Sequence, residues 1–119
     1  MRTYSSNPAR EATSCSRTAG NYTRRAERDA HSAETYYRQA AKTWAEAAWL
    51  TQRPDLWDAE HNYTPADRES MARAWERIGN TFLRASFHAT GMAAHYRETA
   101  ARYRETAARQ AKVADYATV

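Results

Sequence analysis

Apolar side chains recur at alternating intervals of four and three residues through the second half of the chain. The run consists of Met71, Trp75, Ile78, Phe82, Ala85, Ala89, Met92 and Tyr96. This spacing places its members on one side of an α-helix, because 3.6 residues complete a turn. The phase is kept through Gly79 and Gly91, so the pattern predicts one unbroken helix over about 65–117.

A similar spacing of three and four predicts a long helix in the first half of the chain. Its apolar positions are Ala12, Cys15, Ala19, Tyr22, Ala26, Ala30, Ala33, Tyr37, Ala41, Trp44 and Ala48. Asn7 or Ser6 followed by Pro8 is typical of a helix start, since proline is favoured at the first helical position. We therefore expect a helix over 8–52 that is preceded by a flexible N-terminus, residues 1–7.

Composition excludes the main β-architectures. Val and Ile together number three, whereas alanine alone supplies 26 of the 119 residues. A β-sandwich or a parallel sheet is built largely from β-branched side chains, which this chain lacks. The sequence therefore predicts an all-α protein.

The segment 53–64 is the expected connection between the two helices, and it is acidic. It contains Pro54, and the order Thr64, Pro65, Asp67 restarts a helix with the spacing of a capping box. Two long helices joined by so short a loop form an antiparallel hairpin, here a single domain over 1–119. The alternative is a three- or four-helix bundle with breaks at Gly20 and Gly91.

Several large or apolar residues fall off these two apolar stripes and predict a protein–protein interface. They are Tyr36, Trp49, Leu50, Leu83, Phe87 and Ala94. Leu, Ile, Val and Phe number only eight in the chain, so a hairpin on its own has little aliphatic side chain to bury. We therefore expect self-association, with two hairpins dimerising into a four-helix bundle.

Basic residues recur at strict intervals of seven along the first helix. This basic row comprises Arg10, Arg17, Arg24, His31 and Arg38. On a continuous helix it lies opposite the apolar stripe and, extended to Lys42, spans about 48 Å. With two neighbours and two arginines of the second helix, the predicted nucleic-acid-binding residues are Arg10, Arg17, Arg24, Arg28, His31, Arg38, Lys42, Arg102 and Arg109. An ordinary solvent-exposed helix face is the alternative explanation.

Charge is also uneven along the chain. Residues 1–28 carry six arginines and two acidic residues, residues 29–70 carry four basic and eight acidic residues, and residues 71–119 carry eight basic and four acidic residues. A hairpin brings the two basic portions together at the end that holds the termini. Arginine pairs well with phosphate oxygens, which favours an anionic partner such as nucleic acid.

No pattern in the sequence indicates catalysis, a metal or a cofactor, and we expect no enzyme activity. The three glycines are isolated, whereas phosphate-cradling loops need them close together. The single cysteine, Cys15, excludes an intrachain disulfide and a cysteine-based zinc site. We find no signal-peptide pattern and no membrane span, so we expect a cytoplasmic protein without a membrane partner.

Together these features predict a non-catalytic helical binding module. Its basic row contacts nucleic-acid phosphates or an acidic protein. The alternative is a protein–protein adaptor or inhibitor that acts through its apolar and aromatic surface without nucleic acid.

Overall fold

The protein folds as an antiparallel hairpin of two long α-helices. A computed structural model describes residues 7–52 and 64–117. Helix α1 is Pro8–Gln52 and helix α2 is Pro65–Ala117, so both predicted helices are confirmed. Neither Gly20 nor Gly91 interrupts its helix, which excludes the alternative bundle with breaks at these positions. The predictions for residues 1–6 and for most of the loop, 53–63, lie outside the described residues.

Each helix begins at a cap that the sequence predicted. The Asn7 side-chain oxygen accepts a hydrogen bond from the backbone N–H of Arg10 at 3.1 Å. At the start of α2, the Asp67 N–H donates to Thr64 Oγ1 at 3.2 Å, and the Thr64 N–H donates to the Asp67 carboxylate at 3.1 Å. These reciprocal bonds satisfy N–H groups that have no partner within the helix.

The hairpin divides into two compact units, each formed by one stretch of α1 packed on one stretch of α2. We call residues 7–30 and 91–117 the terminal unit, and residues 31–52 and 64–90 the central unit. In the central unit Tyr36 stacks on Phe82 while Ser86 contacts Ala33, so residue numbers rise along α1 as they fall along α2. This order shows that the two helices run antiparallel there.

Small side chains at intervals of seven form the helix interface in the terminal unit. The buried residues are Ala19 and Ala26 on α1 and Ala93, Ala100 and Ala107 on α2, none more than 6% exposed. Larger side chains pack beside this alanine interface. Tyr22 stacks on Tyr96 and Tyr103, with ring centroids 5.8 and 5.7 Å apart.

The central unit repeats the arrangement with a different set of small residues. Ala33, Ala40 and Ala47 of α1 are buried, as are Ala72, Gly79 and Ser86 of α2. The Ser86 hydroxyl donates a hydrogen bond to the backbone carbonyl of Ala33 at 2.8 Å, which fixes the register of the two helices in this unit. Leu50 is the largest fully buried side chain.

The predicted apolar stripe is wrong in the second half of α1 and partly wrong in α2. Tyr37 is 56% exposed and Ile78 is 44% exposed, while Ala41 and Ala48 also face outward. The predicted stripe of α1 advanced by eleven residues every three turns, whereas two packed helices keep facing each other on a repeat of seven. The residues of α1 expected at the interface therefore move to its edge. The stripe of α2 already had a repeat of seven, and there the interface is displaced by one position, to Ala72, Gly79, Ser86 and Ala93 in place of Met71, Ile78, Ala85 and Met92.

Candidate anion-binding surface

In the terminal unit the basic row lies on the solvent side of α1. Arg10, Arg17 and Arg24 are all exposed. The latter two precede the buried Ala19 and Ala26 by two residues, a turn of about 200° that places each arginine almost opposite the helix interface. The interface alanines thus position the row, and its predicted outward orientation is confirmed for these three residues.

The terminal unit carries most of the positive charge of the described residues. It holds ten arginine and lysine residues against six acidic residues, a net charge of +4, whereas the central unit holds six against five. Residues 7–28 and 91–117 of the two predicted basic portions lie in this unit, whereas residues 71–90, with three of the arginines, belong to the central unit. Arg102 and Arg109 of α2 are exposed there, as is Arg28 of α1.

Most of these arginines keep their guanidinium groups available to a partner. The side chains of Arg10, Arg17 and Arg28 form no ion pair with any residue in the described part of the chain. Arg24 donates to the Asn21 side-chain oxygen, a neutral group, so its charge is not neutralised. These four side chains are the available cations of the predicted set on α1 within the terminal unit.

The arginines of α2 are more engaged with their own helix. Arg102 forms an ion pair with Glu98 at 2.6 Å, one turn before it. Arg109 donates to Thr106 Oγ1 at 3.3 Å, one turn before it on the same helix. Exposed pairs of this kind contribute little stability, so a phosphate competes with them easily.

Three tyrosine rings of the terminal unit pack on one another, whereas Tyr116 is 81% exposed. Tyr22 lies between Tyr96 and Tyr103, and the Arg25 guanidinium lies 5.3 Å from the centre of the Tyr22 ring. A cation over an aromatic face is attracted by the ring's electron density. These rings therefore pack the helix pair together, which agrees with the sequence interpretation of them as interface residues.

The central unit holds the other members of the predicted set. His31, Arg38 and Lys42 are exposed on α1. Arg38 is paired with Glu34 at 2.5 Å, in a pair that is open to solvent. Arg73 of the central unit is also paired, with Glu69, so this unit has two of its arginines in ion pairs with neighbouring glutamates.

The predicted protein-interface residues fall into three environments. Leu50 is completely buried between the helices of the central unit, because it lies seven residues after Thr43 on the interface repeat, so its predicted position off the stripe is wrong. Trp49 and Leu83 are half-buried, and Tyr36, at 39% exposure, stacks on Phe82 with ring centroids 6.4 Å apart. Phe87, at 65% exposure, and Ala94 face outward.

Three arginines outside the predicted set also belong to the terminal unit. Arg97 and Arg104 are exposed on α2, and Arg104 donates to Thr23 Oγ1 of α1. Arg25 is exposed beside the tyrosine stack. The repeated segments HYRETAA and RYRETAA were the signal for the first two, since they place Arg97 and Arg104 seven residues apart.

The chain matches no protein-family model, and neither a curated protein nor a solved structure is similar enough to count as a match. Within residues 7–52 and 64–117, no three histidine, cysteine, aspartate or glutamate side chains are grouped as metal ligands. In the same ranges, neither helix has a stretch long and apolar enough to cross a bilayer.

Proposed function

We propose that the terminal unit is a nucleic-acid-binding module that contacts the phosphate backbone. The main support for this proposal is the set of exposed arginines on α1 that lack an acidic partner. They lie in a unit with a net charge of +4. Each arginine that neutralises a phosphate releases condensed counterions, which supplies a binding free energy independent of base sequence. No catalytic step is part of this function.

The arrangement of the row favours a linear polyanion. Arg10, Arg17 and Arg24 are seven residues apart, so successive side chains step along the helix by about 10 Å. A nucleic-acid backbone offers phosphates along a line to which such a row can be matched. An acidic protein patch offers carboxylates with no such regular spacing.

The packing of the aromatic rings indicates how far nucleic-acid bases can stack on the terminal unit. Single-strand-binding proteins stack bases on free aromatic faces. Here Tyr22 is covered by Tyr96 and Tyr103, and Arg25 lies over it. Tyr116 is 81% exposed, but one free ring does not form the row of stacking faces that a single strand needs. We therefore expect binding to duplex and single strand alike, with little preference for sequence.

A salt titration tests the proposal. Fluorescence anisotropy of a labelled generic duplex and of a labelled single strand is measured between about 50 and 200 mM salt. The logarithm of the affinity should fall linearly with the logarithm of salt concentration, with a slope of about −0.9 per phosphate contacted on the duplex. Absence of binding at the lowest salt would refute the proposal.

A matched pair of double variants locates the contact. Arg17→Ala with Arg24→Ala removes two exposed cations from the terminal unit, and Arg77→Ala with Arg84→Ala removes two, also exposed and seven apart, from the central unit. The first pair should reduce the salt slope by about 2, since each lost phosphate contact reduces it by about 1. Equal losses from both pairs would show a response to net charge and not to a site.

The competing function is a protein–protein adaptor without nucleic acid. The observation that favours it is the exposure of Tyr37 and Phe87 in the central unit, 56% and 65%. An adaptor binds neither nucleic-acid probe at any salt concentration. The anisotropy titration therefore distinguishes the two functions directly.

A further inference from the structure

We propose that one face of the central unit is the docking site for a second copy of this chain. The two hairpins pair through this face as a two-fold dimer with four packed helices. We call it the charge-free face. Its residues are Tyr37, Ala41, Trp44 and Ala48 on α1 and Asn80, Leu83 and Phe87 on α2.

The two helices contribute to one continuous surface here. Trp44 lies against Gly79 of α2, so close that a Cβ at Gly79 would be 2.5 Å from the indole Nε1. Trp44, Ala48 and Asn80 also line a common surface groove of about 470 Å³, which Ala47, Thr51 and the charged Glu76 complete at the end of the face. Tyr37 precedes Trp44 by seven residues and Phe87 follows Asn80 by seven, so each ring extends the same side of its helix.

This face is mostly apolar: Asn80 is its polar member, none of its seven members is charged, and Glu76 lies beside it at the groove. Tyr37 and Phe87 expose 56% and 65% of their surface. At about 200 Å² per aromatic side chain these two rings alone offer roughly 250 Å². A standard stable interface buries about 800 Å² per partner, so the other members of the face and the residues at its edges supply the rest of the contact.

A second copy fits because the face is complementary to itself. Two exposed rings lie toward one end of it, and the groove lined by Trp44, Ala48 and Asn80 lies toward the other, about 10 Å along the helices. A two-fold axis across the middle of the face runs the two copies antiparallel and brings the rings of each copy to the groove of the other. Such an isologous contact closes after two chains.

The first test is the mass in solution. Size exclusion with light scattering should give twice the 13.6 kDa of one chain. Tyr37→Glu with Phe87→Glu should weaken the dimer by about 100-fold or more in Kd, because two carboxylates would be buried in an apolar contact. Both side chains are exposed in the hairpin, so helicity measured by circular dichroism should be unchanged.

Ile78→Glu is the matched control. Ile78 is 44% exposed and belongs to the central unit, but it directly precedes Gly79, on the side of α2 away from Asn80 and Leu83. The Ile78→Glu dimer should be as tight as that of the unsubstituted chain. A monomer at about 100 µM, or a dimer weakened by Ile78→Glu and not by the double variant, overturns the proposal.

The second test maps the axis. In a Cys15→Ser background, Ala41→Cys places a thiol near the middle of the charge-free face, and Ala45→Cys places one on an exposed position of α1 outside it. A short bismaleimide should link the Ala41→Cys chains into covalent dimers and leave the Ala45→Cys chains unlinked. The reverse yield contradicts the proposed face.

These outcomes are independent of the nucleic-acid proposal. None of the variants removes a cation, and the dimer is measured without nucleic acid. A charge-free-face variant that is monomeric and still binds the duplex upholds the docking site and the phosphate contact separately.

Discussion

At the scale of single residues, the central unit depends on one position without a side chain. A Cβ built at Gly79 would lie 2.5 Å from Nε1 and 2.6 Å from Cδ1 of Trp44. Gly91, by contrast, has nothing within 4 Å of the corresponding point. Both glycines lie inside α2, where alanine is favoured over glycine by about 1 kcal/mol. The space around each glycine therefore decides whether its replacement by alanine raises or lowers the free energy of unfolding.

Gly91→Ala should raise the free energy of unfolding by about 0.5–1 kcal/mol, because it reduces the entropy of the unfolded chain and meets no neighbour. Gly79→Ala should instead lower it by about 1 kcal/mol, since displacing the indole outweighs the gain in helix propensity. Urea unfolding followed by circular dichroism measures both. Stabilisation by Gly79→Ala would contradict the close contact with Trp44.

The capping pair at the start of α2 gives a pH dependence. Hydrogen bonds from the Thr64 backbone N–H, chiefly, and from the Thr64 side chain hold the pKa of Asp67 below its ordinary value of 3.8. A carboxyl whose pKa is lower in the folded state stabilises the fold above the unfolded pKa and loses that contribution as pH falls through the folded pKa. Asp67 therefore stabilises α2 fully at neutral pH.

Asp67→Asn should lower the thermal midpoint at pH 7, and the difference from the unsubstituted chain should shrink as pH falls below the unfolded pKa of about 4 and through the lower pKa of folded Asp67. Thermal melts at a series of pH values measure this. A difference that stays constant down to pH 2 would mean that the charge of Asp67 plays no part in the cap.

At the scale of the helices, small residues repeated every seven positions determine how α1 and α2 pack. The buried residues of the terminal unit are all alanine, and those of the central unit include a glycine and a serine. Small side chains let helix axes approach to the low end of the usual 8–10 Å range. The larger aromatic side chains are thereby placed at the edges, where they remain partly exposed.

Enlarging one of these alanines should destabilise the hairpin. Ala26 is 1% exposed, so Ala26→Leu inserts three carbons into a close contact and should cost about 1–3 kcal/mol of the free energy of unfolding. Ala45→Leu, at an exposed position of the same helix, is the control and should change it by less than about 0.5 kcal/mol. Urea unfolding compares the two, and equal effects would contradict the interface assigned here.

At the scale of the whole molecule, the interface within the hairpin buries little apolar surface for its length. Among residues 7–52 and 64–116, the buried hydrophobic residues are alanines except for Leu50. A fully buried alanine contributes far less than a leucine, because burial free energy follows apolar area. Pairing through the charge-free face would add aromatic burial that the single hairpin lacks.

If folding and pairing are linked in this way, stability depends on protein concentration. The thermal midpoint of the unsubstituted chain should rise by several degrees over about a hundredfold increase in concentration, since mass action favours the dimer. The Tyr37→Glu, Phe87→Glu double variant should melt at one temperature throughout. Differential scanning fluorimetry at several concentrations measures both, and a concentration-independent midpoint for the unsubstituted chain contradicts the linkage.

The sequence alone determined the two helices, their bounds and their caps, because helical periodicity, proline positions and capping side chains act over a few residues. It also placed Arg10, Arg17 and Arg24 on an outward face. Only the tertiary structure decided which apolar residues are buried in the second half of α1 and in part of α2. Leu50 lies at the interface and Tyr37 outside it, because two helices that face each other over their length must keep a repeat of seven, and a pattern read on one straight helix does not contain that constraint.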